Sequence, residues 1–99
     1  MSYQLRLSAA AQEDLQRLFE FLADNDLAAA SRARDALEKA YEFAEIMPFA
    51  CRKADAANPF LRELLIPFGS AGYVALFEIE NDKTLTILAI RHQREEDFH

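Results

Sequence analysis

The stretch that most constrains this chain is its last one, Thr84-Leu-Thr-Ile-Leu-Ala-Ile-Arg-His-Gln-Arg-Glu-Glu-Asp-Phe98. Thr84 and Thr86 alternate with Leu85 and Ile87, and the run then turns continuously apolar through Leu88, Ala89 and Ile90. Alternation implies one wet face, whereas a continuous run implies cover on both. The stretch is therefore predicted as a central strand with a helical layer on at least one side. At its end the chemistry changes at once to Arg91, His92, Gln93 and Arg94, followed by Glu95, Glu96 and Asp97. A buried strand that delivers cationic and titratable side chains to a sheet edge holds them rigidly.

The preceding residues supply the layers. Tyr3, Leu5 and Leu7 alternate with Gln4 and Arg6, the pattern of a short strand with one buried face. Ser8 stands at an N-cap position ahead of a helix carrying Leu15, Leu18, Phe19 and Leu22 at helical spacing. Asp24-Asn25-Asp26 breaks that helix and caps a second one, which stops at Pro48. Ala30, Ala33, Leu37, Ala40, Ala44 and Met47 form a small-residue seam along the second helix, so the two helices are predicted to pack closely as an antiparallel hairpin. Phe49 to Phe60 reads as irregular. Leu61 to Phe68 and Tyr73 to Glu80 read as strands, with Gly69-Ser70-Ala71-Gly72 turning between them and Asn81-Asp82 turning into the final strand. The predicted fold class is α+β, in the order βααβββ: a helix hairpin on a small, mainly antiparallel sheet.

Composition narrows the function. Ninety-nine residues suit one domain spanning 1–99. No apolar run reaches the roughly 18 residues that span a membrane. One cysteine, Cys51, forms no internal disulfide and fits a reducing cytoplasm. A net charge of −6, distributed over both halves, argues against nucleic-acid binding by bulk electrostatics. Two histidines and one cysteine far apart offer no ligand spacing, so no metal and no cofactor are expected.

Four pieces carry a family resemblance: Leu5-Arg6-Leu7-Ser8-Ala9-Ala10-Ala11-Gln12-Glu13-Asp14-Leu15, Leu61-Arg62-Glu63-Leu64, Gly72-Tyr73-Val74-Ala75-Leu76-Phe77-Glu78-Ile79, and Ile87-Leu88-Ala89-Ile90-Arg91-His92-Gln93-Arg94-Glu95. In this order the chain resembles the RelE/ParE superfamily, the toxin halves of bacterial type II toxin–antitoxin pairs. The resemblance implies a cytoplasmic protein neutralised by a ParD-like antitoxin, whose disordered carboxy-terminal segment folds as it wraps the toxin. RelE-like members cut messenger RNA on the ribosome. ParE-like members poison DNA gyrase and are not nucleases.

Cleavage through a 2′-hydroxyl needs a base, an acid and several cations around the phosphorane. RelE-like members supply clustered Lys and Arg, and the YoeB branch adds a Glu, an Arg, a His and a terminal Tyr. Here Glu63, Arg62, Arg91 and His92 imitate part of that set. Phe98 stands where a phenol is expected, and the three lysines are scattered. The ParE-like reading is therefore preferred, with a RelE/YoeB-like endonuclease, or an inactive scaffold that only binds antitoxin, as alternatives. Arg91, Arg94, Arg62 and His92 are the candidates for target contact. Arg62 and Arg91 form either one basic patch or separate ion pairs with Glu63, Glu78 or Glu80. Phe19, Phe21, Phe49 and Phe60 are the candidates for an antitoxin groove, although such residues also serve a core.

Overall fold

The computed structural model describes residues 2–69 and 71–93. Arg94, Phe98 and the charged residues between them lie outside the described residues. Among the described residues, Gln4–Leu7 (β1) leads into the helices Ala9–Asn25 (α1) and Leu27–Ile46 (α2), then a single 3-10 turn, Pro48–Ala50. Four strands follow: Arg52–Asp55 (β2), Asn58–Phe68 (β3), Ala71–Ile79 (β4) and Thr84–His92 (β5). The strands form one sheet in the order β1-β5-β4-β3-β2, with β1 parallel to β5 and every other pair antiparallel. The α+β helix hairpin on a mainly antiparallel sheet is as the sequence predicts, and β5 is an interior strand. No helix among the described residues is long and apolar enough to cross a membrane.

Two local features differ from the sequence reading. The segment 49–60 is not irregular: it contains β2, which extends the sheet by one edge strand beside β3. All four β2 residues are exposed, so the strand lacks the alternation that reveals a half-buried one. The connection to β3 is made by Asp55, whose carboxylate accepts the Ala57 N–H at 2.9 Å. The break between the helices is one residue, not three. Asp26 ends α1 by donating its N–H to the Leu22 carbonyl at 2.7 Å, and starts α2 by accepting the Ala28 N–H on its side chain at 3.0 Å.

Phe77, Ile66, Leu85, Ile87 and Ile90 are sealed on the sheet face that meets the helices. Ala11 of α1 and Ala33, Leu37 and Ala44 of α2 are buried. Removing these side chains from water is the main stabilising term, at about 25 cal/mol per Å² of apolar surface. The β3–β4 hairpin turns at Gly69, with φ of 61°, and tightens at Gly72, with φ of 144°. A Cβ on Gly72 would lie 2.4 Å from the Ile66 carbonyl oxygen, so only glycine fits this approach.

Candidate functional site

The candidate site lies where β5 outruns its neighbour. The β1–β5 pairing ends at Leu7 opposite Ile87, leaving the following backbone groups of β5 without a strand on that side. Helix α1 replaces the missing strand. The Ser8 hydroxyl caps α1 by accepting the Ala11 N–H at 3.1 Å, and it donates to the Leu88 carbonyl at 3.0 Å. The Asp14 carboxylate accepts the Ile90 N–H at 2.9 Å on one oxygen and pairs with Arg17 at 3.3 Å through the other. Buried backbone polar groups need partners, and these two side chains provide them. They also fix the strand that carries Arg91 and His92.

Leu88 is a bulge. Leu76 pairs with Ala89 and Phe77 with Ile87, so one β5 residue has no opposite number. The bulge exchanges the two faces of the strand. Leu85 and Ile87 face the helices before it, whereas Ile90 and His92 share that face after it, opposite Ala75 and Tyr73. Arg91 is thereby placed on the other face, beside Val74.

The four candidates for target contact are not gathered into one patch. Arg62, on β3, shares the helix-facing side with Phe77, and it is 9% exposed. Its guanidinium donates to the carbonyls of Pro59 at 2.8 Å, Phe49 at 3.1 Å and Cys51 at 2.8 Å. It also lies 5.3 Å from the Phe49 ring centroid. This arginine pins the 3-10 turn and β2 to the sheet, so the reading of Arg62 and Arg91 as one basic patch is corrected: they occupy opposite faces. Arg91 donates to the carbonyls of His92 at 3.3 Å and Gln93 at 3.5 Å, and approaches Glu63 at 3.9 Å. Glu63 also takes Arg52 at 2.8 Å, making a three-member charge row across the open face of the sheet. Arg94 lies outside the described residues.

A groove of about 710 Å³ runs between α1 and the ends of β4 and β5, lined by Asp14, Arg17, Phe21, Tyr73, Arg91 and His92 among others. The His92 ring meets Tyr73 edge-on at 5.6 Å, and Tyr73 stacks on Phe68 at 5.9 Å. Burial pushes the Tyr73 phenol above its ordinary pKa, so it is a neutral hydrogen-bonding group at physiological pH. A phenol, an imidazole and a guanidinium thus converge on one groove. Sequence reasoning missed Asp14, Arg17 and Tyr73. The signal present was the spacing of Asp14, Arg17 and Phe21, three and four residues apart on α1.

The four phenylalanines also separate. Phe19 packs partly buried against the core, with the Arg34 guanidinium 5.9 Å from its ring. Phe21 is exposed and lines the groove. Phe49 and Phe60 meet edge-to-face at 6.2 Å at the opposite end of the strands, both about half exposed. Cys51 is buried beside Arg62, and burial pushes its thiol up, which suits an inert small side chain. Among the described residues no cluster of His, Cys, Asp and Glu is suited to a metal ion.

Comparisons with known proteins agree with this architecture. The model of the ParE toxin of the type II toxin–antitoxin system parDE matches residues 5–97. Toxin RelE1 of Caulobacter vibrioides is 32% identical over 79 residues, which is 80% of this chain and 82% of that protein. A solved structure described as the chromosomal ParDE TA system from P. aeruginosa shares the fold, with a TM-score of 0.68 at 17% identity over 92% of this chain and 96% of that one. With its fold, strand register and nearly its whole length accounted for in this way, the chain belongs to the ParE toxin family of type II toxin–antitoxin systems.

Proposed function

We propose that this toxin acts in the cytoplasm on DNA gyrase, as a ParE-like inhibitor that blocks replication, and that a ParD-like antitoxin neutralises it. The observation that carries this reading is the commitment of its arginines. Arg62 is bound to three carbonyls, Arg91 to two carbonyls and Glu63, and Arg17 to Asp14. An RNA-cleaving site needs cations directed at a phosphorane, and in a chain of net charge −6 these ones already serve in-chain acceptors. A protein target is reached without that requirement. The test is a supercoiling assay with purified gyrase: activity should fall with added toxin, while ribosome-bound messages stay intact.

A second reading is favoured by one observation. Tyr73, His92 and Arg17 line the same groove, and a phenol, an imidazole and a guanidinium are suitable groups for ribosome-dependent messenger RNA cleavage. The name of the Caulobacter relative, Toxin RelE1, points the same way. His92→Ala separates the two. A folded His92→Ala toxin that no longer arrests growth, with messages uncut, supports cleavage; undiminished toxicity supports gyrase.

A further inference from the structure

The end of the molecule opposite the groove carries a second cavity, of about 690 Å³, which neither reading uses. It is lined by Tyr3, Phe49, Phe60, Glu78, Glu80 and Asp82, from the chain before β1, the 3-10 turn, the start of β3 and the β4–β5 turn. Phe49 and Phe60 present apolar area here, being 48% and 50% exposed. Glu78 and Asp82 form no hydrogen bond or ion pair among the described residues, and Glu80 accepts only the Thr86 hydroxyl. Aromatic faces beside unpaired carboxylates are complementary to one kind of side chain: a guanidinium stacks on a ring while donating to carboxylates. Phe49 already takes the Arg62 guanidinium at 5.3 Å, and the three carboxylates outnumber that single charge.

We propose that this cavity is an anchor site for an arginine, flanked by apolar residues, in the antitoxin's toxin-binding segment. The inference rests on the toxin–antitoxin reading above and adds to it the chemistry of the partner. Charge complementarity commits it to a basic segment: the chain carries −6 overall, and the cavity rim concentrates three of its carboxylates. Lysine fits less well, because a hydrated point charge cannot stack and bond in one plane. The flanking apolar residues cover Phe49 and Phe60.

The probe is the peptide acetyl-Leu-Arg-Leu-amide, with its citrulline counterpart as the isosteric neutral control, followed by NMR of the Phe49 and Phe60 rings. The arginine peptide should give saturable shifts, and citrulline should bind at least about tenfold more weakly, the loss expected for a charge-assisted contact. Glu78→Gln/Asp82→Asn, two changes away from the core, should weaken the arginine peptide by about the same factor. In the complex isolated with its antitoxin from the native operon, the peptide should no longer shift either ring. Equal binding of citrulline, or no ring shifts at all, overturns the arginine site. Peptide binding that persists in the toxin–antitoxin complex overturns the antitoxin as occupant while leaving the pairing intact. Rings already shielded in a dimer of the isolated toxin assign the cavity to a second copy and equally overturn the proposal. If no antitoxin is isolated, the pairing has failed and the proposed occupant with it, whatever the peptide does.

Discussion

Arg62 and Arg91 are the same residue type on strands of the same sheet, yet they do opposite work. Arg62 is nearly buried, on the face that meets the helices, with three carbonyls around its guanidinium. Arg91 is on the other face, at the end of β5, beside an acidic partner 3.9 Å away and at the mouth of a groove. A buried cation is tolerated only when fully hydrogen-bonded, and Arg62 meets that condition with backbone acceptors rather than a carboxylate. The comparison shows that a basic residue in an acidic toxin is not by default a contact residue. One arginine assembles the fold, and the other is positioned to be used.

The most severe way to break the comparison is Arg62→Ala. Three buried carbonyls lose their donor together and the stacking on Phe49 is lost, so we expect about 4 kcal/mol of destabilisation, with Arg62→Lys recovering only part of it. The urea midpoint decides: an unchanged midpoint would mean that β2 and the 3-10 turn hold without the guanidinium. Next in size is Gly72→Ala, on the Arg91 side. Its Cβ clashes with the Ile66 carbonyl, and the Gly72 carbonyl that accepts the Gln93 N–H at 2.9 Å must shift with it. We expect a loss of roughly 2–3 kcal/mol and a disturbed end of β5, visible as lost amide protection at Gln93.

Arg91→Glu should behave oppositely to Arg62→Ala. Its ion pair with Glu63 is long and the bonded carbonyls lie at the strand end, so the stability cost is about 1 kcal/mol. Its effect is on function, raising the dose that arrests growth by on the order of tenfold. Full toxicity of a folded Arg91→Glu protein would show that the sheet-end arginine is not the working surface. The smallest effect is Tyr41→Phe, which sharpens the contrast from the other side. The Tyr41 phenol is buried with no hydrogen-bond partner among the described residues, the condition that Arg62 avoids. Removing it should change stability by less than about 1 kcal/mol at neutral pH, in the stabilising direction. It should also remove an alkaline transition. Burial pushes this phenol from 10.0 up to about 12, so its contribution is intact below pH 10 and is lost as pH rises towards 12. A wild-type melt that stays constant across that range would contradict it.

Much of this molecule is determined by sequence alone, and the reasons are local. Ser8 and Asp26 cap helices because their side chains reach a nearby N–H whatever the rest of the chain does. The alternation in β1 and at the start of β5, and the alanine seam of α2, follow from residue period and select one buried face. The order of elements that resembles the RelE/ParE superfamily is likewise a linear property. β2 escaped because an exposed edge strand has no buried face to leave a pattern, and Arg62 was misplaced because its acceptors are backbone carbonyls, which every sequence contains.

The site itself is tertiary. Period-two reasoning along β5 puts residues 85, 87, 89 and 91 on one face, with Arg91 under the helices and His92 outside. The bulge at Leu88 reverses this, bringing His92 against Tyr73 and sending Arg91 to Glu63. That one-residue offset is set by α1, whose Ser8 and Asp14 bind Leu88 and Ile90 where β1 has ended. A strand's own sequence fixes its period, whereas its phase after a bulge depends on which groups a neighbour 76 to 80 residues away satisfies.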